Sequence, residues 1–122
     1  MAERMPHPVS INLRSKSRVL SIAFDDGAQF DLSCELLRVY SPSAEVKGHG
    51  PGQEVLQLGK ESVNIRAIEP VGNYAVRLVF DDGHASGIYS WPYLHDLGSR
   101  RDDHWRRYLQ RLAEAGHARR EA

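Results

Sequence analysis

The sequence predicts an α+β domain: a small, mostly antiparallel sheet of two related hairpin units, with short helices and a C-terminal amphipathic helix. Three observations predict it. Phe24-Asp25-Asp26-Gly27 returns as Phe80-Asp81-Asp82-Gly83, 56 residues later. An alternating apolar run precedes each copy: Val19, Leu20, Ile22 and Phe24, then Val76, Leu78 and Phe80. Period-two alternation reads as a half-buried strand, and Asp-Gly between two such runs reads as a hairpin with a tight I′-type turn. Near the C-terminus Trp105, Tyr108, Leu109 and Leu112 recur at helical spacing and share one face.

Taken in order, residues 1–8 hold two prolines and no periodicity, and read as a flexible arm. Val9, Ile11 and Leu13 alternate as a first strand, and Ser15-Lys16-Ser17 turns the chain. Residues 18–24 form the second strand, and 28–32 pair back on it after Asp-Gly. Asp31 or Ser33 caps a short helix over 34–39 that points Leu36, Leu37 and Tyr40 inward. A Gly- and Pro-rich loop spans 41–52. Strands follow over 63–71, 74–80 and 85–89, the last pair joined by the second Asp-Asp-Gly. Ser90 precedes Trp91-Pro92, which places proline in a first helical turn, where its missing N–H costs little. That helix stops at Gly98. The last begins near Asp102 or Asp103, either suited to cap it, and its final residues fray. The domain proper is therefore 9–98, with a C-terminal helix and frayed tail over 99–122.

The 122 residues make one domain's worth of chain, enough for a modest core. Net charge is zero, so the whole chain does not advertise nucleic acid or membrane binding. Residues 99–122 hold seven Arg against four acids, which reads as the solvated side of a helix before it reads as an anionic docking patch. One cysteine, Cys34, excludes an internal disulfide and any Cys-rich zinc or iron–sulfur site within one chain. No apolar run approaches the roughly 20 residues of a membrane span, and the first residues lack a hydrophobic signal core. The expected location is cytoplasmic.

Few residues invite chemistry. The 41–53 loop contains His49, and Gly48-His49-Gly50-Pro51-Gly52 could bring backbone amides to an anion. The spacing fits neither a P-loop nor a dinucleotide fingerprint, and a rigid surface connection explains it equally well. His84 follows the second turn where the first has Ala28, with Ser86 two residues on. It reads as a solvated hairpin histidine or as a ligand. Six histidines occur, none paired as in a zinc peptidase. The Asp25-Asp26 and Asp81-Asp82 pairs are turn residues that point apart, so no carboxylate dyad is expected. Nothing local activates Cys34, and Trp91, Tyr93 and Trp105 read as anchors of the helices on the sheet.

An ordered set carries a resemblance: Ser41-Pro-Ser-Ala-Glu-Val46, Gly48-His-Gly-Pro51, Val71-Gly-Asn-Tyr-Ala-Val76, Phe80-Asp-Asp-Gly-His84, Ser86-Gly-Ile-Tyr-Ser-Trp91 and Leu94. Over residues 9–98 the chain resembles the domain-of-unknown-function 971 family. That family is similar to the N-terminal domain of γ-butyrobetaine hydroxylase and to a domain ending some P-loop iron–sulfur scaffold proteins. The resemblance implies a non-catalytic module whose relatives hold zinc with three Cys after a Leu-Arg pair and a later Asp-Gly-His. Leu37-Arg38 matches the pair and His84 the histidine, which puts Ser41, Ser43 and Val46 at the cysteine positions. Serine is a poor zinc ligand and valine none. No cofactor is expected, and the two hydroxyls should instead tie the loop to the His84 hairpin. The expected function is a binding or adaptor module that docks a protein partner through Ser41, Ser43, Glu45, His49, His84, Ser86 and Trp91. The alternative is a metal or iron–sulfur accessory protein, taking zinc or iron through His84 with a partner's or a second chain's ligands.

Overall fold

The structure, a computed structural model, describes residues 5–48 and 55–119. The order of elements is β1 (Pro8–Arg14), β2 (Val19–Phe24), β3 (Gln29–Ser33), α1 (Cys34–Val39), α2 (Ala44–Lys47), β4 (Ile65–Val71), β5 (Ala75–Phe80), β6 (Ile88–Ser90), α3 (Trp91–Ser99) and α4 (Arg101–Glu114). The six strands do not join into one sheet. They form two antiparallel sheets of three, β1-β2-β3 and β4-β5-β6, each followed by a helix. The inward positions of both sheets and of α1 and α3 meet in one core, which includes Leu20, Ile22, Phe24, Leu32, Leu37, Leu78, Phe80, Tyr89, Leu94 and Leu97. Each fully buried side chain of this kind contributes about 1.5–3 kcal/mol.

The two halves repeat each other in detail. Neither Asp-Gly turn is the two-residue I′ form. Phe24 N–H donates to Ala28 O (2.8 Å) and Phe80 N–H to His84 O (2.9 Å), so three residues, 25–27 and 81–83, close each hairpin. Gly27 (φ 89°) and Gly83 (φ 92°) take the left-handed position of that three-residue loop. The first aspartate of each pair reaches back to the preceding strand: Asp25 accepts from His7 N–H (3.1 Å) and Asp81 from Asn64 N–H (3.0 Å). The second accepts two residues on, Asp26 from Ala28 N–H and Asp82 from His84 N–H. Both first strands carry a register shift at the matching place, between Pro8 and Ser10 and between Ile65 and Ala67. Ser33 caps α1 and Ser90 caps α3, each accepting from the N–H three residues on.

The helices cross over. Arg38 of α1 pairs with Asp82 in the second turn (2.8 Å), and His95 of α3 sits 2.8 Å from Asp26 in the first. Arg38 and His95 each stand four residues past the first residue of their helix, so the two pairs are equivalent. Each half's helix thus clasps the other half's turn.

Several expectations need correction. Residues 7 and 8 are not a loose arm: His7 exchanges bonds with Asp25, and Pro8 opens β1. The 41–48 stretch is not all loop, because Ser43 caps the short α2. The last strand of the second half covers only 88–90 instead of 85–89, and α3 extends to Ser99. Arg100, not Asp102 or Asp103, occupies the α4 cap and makes no side-chain cap bond; the aspartates lie in the first turn, favoured by the helix dipole. Leu109 is exposed, so the α4 face is narrower than its spacing suggests. The tail does not fray through residue 119: Arg119 is pinned to Glu35. Cys34 is fully buried.

Candidate functional site

One extra residue builds the site. Phe24 and Phe80 are 56 positions apart, but Ser33 and Ser90 are 57 apart, so the second half gains a residue between its turn and its helix. In the first half the ladder runs from Ala23↔Gln29 to Val19↔Ser33. In the second it stops at Arg77↔Ile88, leaving 84–87 off the ladder. An unpaired extra residue bends a strand and re-aims its side chains. Here it accompanies a His84 side chain that is 3% exposed, where a solvated hairpin residue was one expectation.

His84 meets the 41–48 segment with both ring nitrogens. Ser41 Oγ lies 2.8 Å from Nε2, and Glu45 Oε2 lies 3.1 Å from Nδ1. A carboxylate can only accept, which assigns the ring proton to Nδ1 and makes Nε2 the acceptor of the Ser41 hydroxyl. Burial and the nearby Arg38 guanidinium depress the His84 pKa against the opposing pull of Glu45 and Asp82, so the ring is neutral. A second tie runs beside the first, with Ser43 Oγ 2.7 Å from Ser86 Oγ. Ser43 Oγ also accepts from Glu45 N–H, and Ser41 Oγ from Ser43 N–H (3.3 Å). Below, Asp82 binds Arg38 and Lys60 (2.7 Å). Burial works against its ionisation, yet Lys60, the His84 amide and Arg38 hold its pKa at about 2.

The Ser41–His84 end of this arrangement is sealed, while the Glu45 carboxylate faces outward. Ser41 is fully buried. A Cβ on Gly87 would collide with Ser41 Oγ, so the glycine backbone closes over the hydroxyl. The matching contact in the first half is Gly98 against the Phe30 ring. The polar site therefore occupies the place that Phe30 fills with an apolar side chain in the other half. Outside the seal, Glu45 (71% exposed side chain), Arg77, Gly83, His84, Ala85 and Ser86 line a shallow open hollow of about 330 Å³. Arg77 pairs with Glu69 across the sheet.

Of the residues singled out by sequence, Ser41, Ser43, Glu45, His84 and Ser86 come together. His49 lies outside the described residues. Trp91 does not join them: it is half-buried and its indole N–H donates to Asn73 O (2.8 Å). Gly87 and Arg38 were missed as site residues. The shift from 56 to 57 positions was the available signal for the first.

This architecture, two crossed β-β-β-α units with a polar latch in one half, defines a small α+β domain family. The family described as gamma-butyrobetaine hydroxylase-like, N-terminal, matches residues 11–95, and the chain belongs to it. Two proteins solved by NMR are similar over nearly all of it. One is 57% identical, with 98% of this chain and 90% of that one covered and a TM-score of 0.81. The other is 45% identical, with 98% and 95% covered and a TM-score of 0.82. A crystal structure of a domain-of-unknown-function 971 family protein from Acidithiobacillus ferrooxidans ATCC 23270, described as of unknown function, is 38% identical, with 75% and 91% covered and a TM-score of 0.63. No curated protein matches.

The zinc implied by the resemblance does not fit the donor set. The four positions offer one imidazole, two hydroxyls and the buried apolar Val46. Both His84 nitrogens and both hydroxyls are already bonded. Among the described residues no three His, Cys, Asp or Glu side chains gather as a ligand set, and no helix is long and apolar enough to cross a membrane.

Proposed function

We propose that the chain is a small non-catalytic binding module that docks a protein partner across the 41–53 segment and the His84–Trp91 strip. One observation carries this reading: Ser41, Ser43 and His84 are turned on their neighbours and buried, while the rim around them stays open. Ser41 has no path to a substrate carbonyl, which a nucleophile requires. A second Ser–His–Asp cluster, Ser99, His95 and Asp26, is reversed, with the hydroxyl on Nδ1 and the carboxylate on Nε2. Its imidazole packs edge-on against Phe24 and Phe30, which suits a structural clasp. The exposed Ile88 (47%) pairs with Arg77, which lines the hollow, and the exposed Tyr74 (56%) lies at the Trp91 end of the strip, where its carbonyl accepts from Trp91 N–H. A fitting partner brings an apolar side chain to Ile88 and a cation to Glu45.

The alternative of a metal or iron–sulfur accessory protein finds less support. Burial raises the Cys34 thiol to about pKa 11, and its Sγ faces Asn64 inside the core. A cluster bridged by Cys34 of two chains would require unfolding both.

A photo-crosslinking residue at Tyr74, with the same residue at Leu109 of α4 as reference, tests the docking face in cells. The reading expects a discrete protein adduct from position 74 that Ile88→Asp removes. Equal adducts from both positions, or an adduct indifferent to Ile88→Asp, refutes it.

A further inference from the structure

Away from that face, the end of the chain folds back on α1. Gly116 takes φ 72° just past α4, with Gly116 N–H bonded to Ala113 O and His117 N–H to Leu112 O, a Schellman stop that reverses the backbone. Three residues later Arg119 enters a slot. Its Nε donates to Glu35 Oε2 (2.8 Å) and its Nη2 to Oε1, a two-pronged grip on a carboxylate that is itself 5% exposed. The guanidinium carbon lies 5.2 Å from the centre of the Trp105 ring. Glu61 supplies a second carboxylate whose field reaches both Arg119 and Tyr108, and its Oε1 is buried without a hydrogen-bond partner among the described residues. Arg111 adds a counter-charge near Tyr108.

These features are what guanidinium recognition needs: a desolvated carboxylate for the fork, an aromatic face, and surplus acceptor capacity. Lysine would lose the two-pronged contact. Arg119 remains 28% exposed and lies five residues past the end of α4. Glu35 left alone would be a buried unpaired charge, so the slot demands a cation whenever Arg119 leaves. We infer that this slot is a recognition site for an arginine side chain of a partner protein, held closed in cis by Arg119 as a self-ligand. The site is separate from the His84 rim and stands independently of the docking face proposed there.

The test uses the full chain with Arg119→Gln and an eight-residue peptide copying positions 115–122. The readout is the NMR shift of the Trp105 indole N–H. Trp91, held by Asn73, is the internal reference. The proposal expects a saturable Trp105 shift in Arg119→Gln, at least ~10-fold tighter than in the wild type, where the tethered tail competes at millimolar effective concentration. A peptide with both arginines changed to lysine binds at least ~10-fold more weakly, and adding Glu35→Gln abolishes binding. No saturable shift in Arg119→Gln, equal binding of the lysine peptide, or equal affinity in the wild type overturns it. Should Arg119→Gln lose its dispersed spectrum, Arg119→Lys replaces it and the same outcomes decide.

Discussion

Ser41→Ala isolates the sealed hydrogen bond. The hydroxyl is fully buried, donates to His84 Nε2 and accepts from Ser43 N–H. Its removal leaves a buried ring nitrogen without its donor, and an unmade bond to a buried acceptor costs about 1–3 kcal/mol. We expect about 2 kcal/mol, read in urea as a fall of about 1 M in midpoint at unchanged slope. Ser86→Ala deletes a hydroxyl of the adjacent tie, but Ser86 is exposed and water replaces it, so that loss stays below about 0.5 kcal/mol. A double-mutant cycle sharpens the comparison. In a His84→Phe background no acceptor is orphaned, and Ser41→Ala should cost at least about 1 kcal/mol less. If Ser41→Ala and Ser86→Ala cost the same, or if the cycle shows no coupling, the buried bond is not what ties the segment to the hairpin.

Acid should weaken the fold in two windows. His84 has a lowered pKa when folded, so below about 6.5 the unfolded chain takes a proton that the fold refuses. Stability falls as pH drops from there and levels once the folded ring protonates; His84→Gln removes this component of the urea-midpoint profile. Asp82 titrates near 2 when folded against 3.8 unfolded, so its contribution, complete above 3.8, is lost between those values as pH falls. Asp82→Asn should flatten that lower limb. Cys34 should react with a disulfide reagent at least ~100-fold more slowly in the native chain than in urea, because its thiol is buried and protonated. Gly98→Ala drives a methyl into the Phe30 ring and should cost about 1–3 kcal/mol in thermal unfolding, with Phe30→Ala partly relieving it.

Strand alternation, serine caps and the doubled Phe-Asp-Asp-Gly made the element types legible, because those signals are local. The division into two sheets was not, since no local pattern says which strand neighbours which. The depth of the repeat was also hidden. Arg38 matches His95, Ser41 matches Gly98 and Phe30 matches Gly87 only after the one-residue slip is recognised, and none of these pairs shares a side chain. Ser41, Ser43 and His84 could be named from residue pattern, but their joining brings together side chains 43 positions apart in sequence. The grip of Arg119 on Glu35 spans 84 positions and left no periodic trace.

The reciprocal clasp of Arg38 on Asp82 and His95 on Asp26 has a consequence for how the polypeptide can be divided. A fragment ending ahead of β4 retains one hairpin but lacks the imidazole that steadies its bend, and the remaining piece lacks the guanidinium for its own. Neither piece should be autonomous, yet mixed together they have every contact needed to reassemble. Such a chain lends itself to split-reporter use, with signal appearing only when both pieces are brought together.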